Sequence, residues 1–119
     1  MKKTSRELGN QAELFAAEML TKQGLTLLEQ NVNFRVGELD LVMKDKESLV
    51  FVEVKRRKQD KFGGALEAIT FTKQKRLTRA ALAYLQKNKL MDKVPCRFDL
   101  VAVTDINGKL SGQWLQNIF

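Results

Sequence analysis

The stretch Gly37–Lys55, "GELDLVMKDKESLVFVEVK", decides the fold. Its pattern predicts a β-hairpin, Glu38–Lys44 and Ser48–Arg56, closed by a polar turn. Along the second strand Leu49 and Phe51 point one way and Val50, Val52 and Val54 the other. Apolar residues on both faces mark a central strand covered on both sides. Yet this strand ends in Glu53 and Lys55, and its partner carries Glu38 and Asp40. Alternation puts Glu53 and Lys55 on a shared face, and likewise Glu38 and Asp40. A turn about Lys46-Glu47 sets Asp40 opposite Glu53, and directly opposed Cβ atoms lie about 4.5–5.5 Å apart.

Two like charges at that distance destabilise a sheet and raise the pKa of one carboxyl unless something positive sits between them. Two readings follow from the residue types. In one, Lys55 neutralises a carboxylate in a salt bridge at a wet strand end. In the other, the acids hold a divalent cation, and hard oxygen ligands suit Mg²⁺. A carboxylate-held metal acidifies water and relieves phosphate charge, as phosphodiester hydrolysis requires. Lys55 is then placed to orient the water or stabilise developing charge.

Around the hairpin the periodicity gives the remaining elements. Leu8, Ala12, Phe15, Ala16, Met19 and Leu20 predict a first helix from about Ser5 to Gln23, stopped at Gly24. A strand over about Leu25–Asn33 precedes the hairpin, and "DKFGG" reads as a loop. A second helix is expected over about Thr72–Asn88, with Leu77, Ala81, Tyr84 and Leu85 on its apolar face and Lys75, Arg76 and Arg79 on the opposite side. Pro95 precedes a strand over Arg97–Thr104, "DINGKL" is a turn, and "QWLQNI" suggests a last short strand. The order αβββαβ(β) implies an α/β fold: one central mixed sheet with helices on both faces, in a single domain over residues 1–119. Glu13 flanks the apolar face of the first helix and can reach past the core edge toward the acid pair, although its spacing alone favours a solvated helix carboxylate. Tyr84 and Trp114 read as packing residues, Asp99 as a partner for a neighbouring turn or lysine, and Cys96 as a small buried or half-buried hydrophobe.

Composition narrows the chemistry. There is no histidine and only one cysteine, Cys96, which excludes histidine bases, Ser-His-Asp triads, an internal disulfide and a thiolate zinc cluster within the chain. No apolar run approaches a membrane span, and "MKKTSRELGN" has no apolar segment behind its charges, so a cytoplasmic location with no membrane partner is expected. The net charge is +7, and nine basic residues fall between Lys55 and Arg79 against only Asp60 and Glu67. The rest of the chain is balanced, so this window holds the whole excess. Such a patch suits a polyanion, most simply nucleic acid, or else a solvated surface.

"GELDLV" followed by "LVFVEVKRR" resembles the YraN-like family of small bacterial proteins. The resemblance runs through "LGNQAELFAAEMLTKQG", "EQNVNFRVGE", "ALEAITFTKQKRLTRAALAYL" and "RFDLVAV". That family looks like a branch of the PD-(D/E)xK nucleases, related to archaeal-type Holliday junction resolvases. The resemblance implies a restriction-endonuclease-like fold, with Asp40 as the superfamily aspartate, Glu53 as the second acid, Lys55 as the lysine and Glu13 as the glutamate of the first helix. Leu39 stands where the superfamily's proline would precede Asp40, and Ala12 stands where relatives often have glycine before Glu13.

The expected function is that of a Mg²⁺- or Mn²⁺-dependent DNA endonuclease acting on branched or otherwise structured DNA. Asp40, Glu53 and Glu13 are the expected metal residues, the last directly or through water, and Lys55 the residue that positions the nucleophile. Arg56, Arg57, Lys58, Lys73, Lys75, Arg76 and Arg79 are expected to grip phosphates with weak base preference. A homodimer suits a two-fold substrate such as a four-way junction. The rivals are a non-catalytic nucleic-acid-binding module and an interaction subunit whose basic face meets an acidic protein.

Overall fold

The computed structural model describes residues 2–58 and 69–119, with the side chain of Lys58 excepted. The expected "DKFGG" loop lies outside the described residues. Among the described residues two helices and five strands follow in chain order: α1 (Ser5–Lys22), β1 (Thr26–Phe34), β2 (Gly37–Asp45), β3 (Ser48–Lys58), α2 (Phe71–Lys87), β4 (Cys96–Ile106) and β5 (Lys109–Leu115). The strands form one mixed sheet in the order β1-β2-β3-β4-β5. Only the β3–β4 pair is parallel, and α2 lies in its crossover.

Each helix starts on a threonine whose side chain satisfies an otherwise unpaired N–H of the first turn: Thr4 accepts from Glu7 and Thr70 from Lys73, both at 3.1 Å. Gly24, at φ 101°, takes the left-handed conformation just past α1 and sends the chain into β1. On one face of the sheet Ala12, Ala16, Ala17 and Leu20 of α1 pack with Leu41, Met43, Val50, Val52, Val101 and Val103. On the other, Ala80, Ala81, Tyr84 and Leu85 of α2 pack with Leu39, Val42, Leu49 and Phe51. Leu49/Phe51 and Val50/Val52 thus divide between two cores, as their alternation requires. Gly37 allows the close approach of β2 to α2, since a Cβ there would stand 3.1 Å from the Arg76 carbonyl oxygen.

The last strand begins earlier than "QWLQNI" suggests. Asn107 (φ 53°) and Gly108 (φ 85°) form a two-residue turn of the type that suits the twist of a hairpin, so β5 starts directly at Lys109. Cys96 is exposed rather than buried, because it stands at the open start of β4. No described helix is long and apolar enough to cross a membrane.

Candidate active site

The β2–β3 ladder runs from Asp45↔Ser48 to Leu41↔Val52 and stops there. Beyond it β3 stays paired with β4 as far as Lys58, while β2 draws away. The Val54 N–H, which a continued ladder would have used, donates instead to Asp40 Oδ2 at 2.9 Å. The alternation of β2 also breaks at this point: Leu39 belongs to the α2 core and Leu41 to the α1 core. Opposite on β1, Asn31 adopts φ 54° between the pairs Gln30↔Leu41 and Val32↔Leu39. Asparagine tolerates this left-handed conformation better than most residues, and such local distortions re-aim side chains.

Asp40 and Glu53 meet in a small cleft of about 210 Å³, walled also by Gly37, Glu38, Lys73, Arg76 and Leu77. Burial, and after it the charge of Glu53, pushes the Asp40 carboxyl up to about 8, against the pull of the Val54 N–H. Glu53 is buried as well, and Lys73 Nζ lies 2.8 Å from its Oε1. Burial works against the charge on Lys73, yet the hydrogen bond and the charge of Glu53 outweigh it and raise the ammonium's pKa. Burial and the neighbouring carboxylate therefore favour the neutral form of Asp40.

Glu13 extends from α1 toward the same acids. Burial raises its pKa, the Asn31 side chain pulls it down in part, and the charges of Glu38 and Glu53 push it up further. Its Oε1 is buried without a hydrogen-bond partner among the described residues. Lys55 follows Glu53 on the same face but is exposed. It is Lys73, from the first turn of α2, that pairs with Glu53, so the salt bridge anticipated for Lys55 is made by another lysine.

Among the described residues the basic side chains divide between two clefts and the β3–β4 end. Lys73 and Arg76 line the acid cleft. Lys75 lies 4.6 Å over the Phe71 ring and borders, with Arg79 and Phe119, a separate shallow cleft. Arg56 pairs with Asp105 at 2.8 Å on the β3–β4 end, and Arg57 has an interaction of its own. The Lys58 side chain lies outside the described residues. The expectation that Arg76 lies opposite the apolar face is corrected: a helical wheel sets it about 40° beyond Ala80, at the edge of that face.

A second buried acid had no functional assignment from sequence. Asp99 is wholly buried and accepts from Arg97 Nε at 3.1 and 3.2 Å, from Trp114 Nε1 at 3.0 Å and from the Asn117 N–H at 3.0 Å. Arg97 also pairs with Asp45 at 3.0 Å. This network ties β4 to β5 and the chain end, and an aspartate two residues from an arginine on a strand was the signal for it.

The fold and this geometry define an α/β protein with a buried acid pair opening beside basic side chains of a helix. Residues 12–103 match the family described as "Uncharacterised protein family UPF0102". Similar proteins of the same description include one from Nitrosococcus oceani, 45% identical over 98% of this chain and 94% of the relative. One from Alkalilimnicola ehrlichii is 49% identical over 95% and 86%, and one from Shewanella oneidensis 47% over 94% and 98%. The chain belongs to UPF0102, the family of YraN-like proteins.

Proposed function

We propose that this chain is a metal-dependent endonuclease of restriction-endonuclease-like fold that hydrolyses phosphodiester bonds in DNA, with branched or structured DNA as its substrate. The observation that carries the reading is the Asp40–Glu53 pair, buried where two strands part and left with more acid than its neighbours neutralise. An acid perturbed by burial and a specific charge partner, sitting in a cleft, is a functional-site candidate. The N-terminal turns of α2 add Lys73 and Arg76 beside the pair, and a basic helix N-terminus favours phosphate.

The donor set fits a hard divalent cation. Mg²⁺ is commonly held by one or two carboxylates with water and substrate phosphate completing its shell. Among the described residues no three His, Cys, Asp or Glu side chains lie close enough together to hold a metal. Asp40 and Glu53 are therefore the direct ligands in this proposal, and Glu13 acts through water. Mg²⁺ or Mn²⁺, when bound, acidifies water and relieves charge on the phosphate. Asp40 and Glu53 would hold the metal as carboxylates, Asp40 without its proton and Glu53 released from Lys73. Lys73 and Arg76, which line the cleft, would draw the phosphate over the pair, and Lys55 would orient the attacking water. The wider basic residues hold the flanking backbone, in a cytoplasmic protein that pairs as a homodimer on a four-way junction.

The test is a cleavage screen over duplex, single-stranded, flap and junction DNA with Mg²⁺, Mn²⁺ or chelator. Asp40→Asn, Glu53→Gln and Lys55→Ala should each abolish most cleavage, and combining them should add little. A folded Asp40→Asn protein that cuts as fast as wild type rejects the assignment. One observation favours a second reading: the Lys73–Glu53 ion pair already supplies a cation where the metal would sit. A non-catalytic nucleic-acid-binding module keeps that pair closed, binds in a salt-sensitive way and cuts nothing.

A further inference from the structure

A larger cleft of about 720 Å³ lies between the first turns of α1 and the edge strand β1. It has the size of an ordinary small-ligand site. Its polar lining is made mostly of carboxamides: Asn10 from the helix, and Gln30, Asn31 and Asn33 from the strand. Carboxamides offer a donor and an acceptor side by side, the pattern that matches a nucleobase edge. Leu14, 57% exposed, adds an apolar surface on the same wall, suited to the plane of a base. Glu13 and Glu38 also border the cleft against the single cation Arg6, so a phosphate is poorly accommodated inside it while a neutral polar ring is not.

Its position is as informative as its lining. Glu38 walls both this cleft and the smaller one that holds Asp40 and Glu53, so the two adjoin. Asn31 stands where β1 leaves regular strand conformation, at the level where the alternation of β2 breaks. A base seated against the amides would thus have its own phosphate next to the acid pair. In a paired, stacked duplex the Watson–Crick edge is occupied and the base face is covered, whereas an unpaired nucleotide offers both.

We propose that the amide-lined cleft between α1 and β1 is a seat for one unpaired nucleobase, making the substrate a nucleic acid with an unpaired nucleotide beside the scissile phosphate. This inference rests on the nucleic-acid reading of the acid site.

The test uses wild-type protein in chelator, where no cutting occurs, and three DNA duplexes of equal length: fully paired, with one unpaired 2-aminopurine, and with one unpaired abasic nucleotide. The seat predicts about tenfold tighter binding to the base-bearing bulge than to either other duplex, the scale of one good amide–base contact. It also predicts a change in 2-aminopurine fluorescence on binding. Asn10→Ala with Asn33→Ala, both at exposed positions, should bring the three affinities within about twofold while the salt dependence stays. Equal affinity of the wild type for the base-bearing and abasic bulges overturns the seat without depending on any variant. Salt-dependent binding with equal affinities leaves the nuclease reading standing and removes only the base seat. No binding to any of the three at low salt removes both.

Discussion

Replacing Asp40 with asparagine perturbs the acid pair and little else. The amide oxygen can still accept from the Val54 N–H, and the side-chain volume is unchanged. In the metal-free wild type the Asp40 carboxyl has an ordinary value of 3.8 and is pushed up to about 8, by burial first and by Glu53 next. The folded protein therefore keeps a proton that the unfolded chain has already lost. Stability is full below about pH 4, falls as pH rises and levels off above about 8. The slope is about 1.4 kcal/mol per pH unit, and the whole shift corresponds to about 6 kcal/mol. Asparagine carries no charge at any pH, so the variant lacks this decline. Contributions from Glu13 and the Lys73–Glu53 pair occur in both proteins and cancel to first order in the comparison.

The assay is a pair of thermal melts in chelator at pH 5 and pH 8. For a chain of 119 residues 1 kcal/mol moves Tm by about 4 °C. With the folded carboxyl at about 8 and the unfolded one at 3.8, about 4 kcal/mol of the loss falls between pH 5 and pH 8, so the variant should gain about 15 °C on wild type between the two pH values. Saturating Mg²⁺ should raise the wild-type Tm at pH 8 and leave the variant nearly unmoved. A gap between the two proteins that is the same at pH 5 and pH 8 refutes the reasoning. So would an Asp40→Asn protein less stable than wild type at pH 8, the outcome expected if Asp40 were simply one partner of a salt bridge.

Lys73→Ala should lower the chelated protein's stability by about 1 kcal/mol at pH 7, a figure kept small because the lysine is partly exposed, and should enlarge the Tm rise produced by Mg²⁺, as read by melts with and without the ion. Asp99→Ala strands Arg97, the Trp114 indole and the Asn117 N–H, so urea titration should show a loss of about 3 kcal/mol or more. Arg76→Glu should weaken DNA binding and flatten its dependence on salt, whereas Arg79→Glu, on the far side of α2, should do so less, as measured by fluorescence anisotropy across a salt series.

The hairpin was legible because two rules agree on its register. The alternation of Leu49–Val54 fixes which residues face each core, and the polar pair Lys46-Glu47 fixes the turn, so Leu41 meets Val52. The parting of the strands at Asp40 was not legible, because alternation describes a regular strand and carries no sign of where one stops being regular. Asn31 at positive φ was the available hint, and it reads as an ordinary polar residue of an edge strand. Lys73 was counted only among the phosphate-gripping residues, because its partner lies on a strand far away in sequence. Its place in the first turn of α2, with no acid beside it, was the clue: a lysine there opposes the helix dipole and needs a carboxylate from elsewhere. Arg76 could have been placed correctly from the wheel alone, three residues beyond Lys73 and four before Ala80.

The same sheet contains its own comparison for the acid pair. Asp99 and Glu53 are both buried, and Asp40 is nearly so, yet the sheet treats them differently. Asp99 receives the Arg97 guanidinium, an indole N–H and a backbone N–H, so its charge is matched and its oxygens are occupied. Asp40 receives one backbone N–H and faces a second carboxylate. Nothing in the burial of carboxylates forces the second arrangement, since the first shows that this chain can satisfy an acid at complete burial. An under-neutralised pair costs stability that a purely structural aspartate would not cost, and such costs persist where the site has work to do. That contrast, rather than burial itself, directs the proposed chemistry to Asp40 and Glu53 and leaves Asp99 as an anchor of β4 and β5.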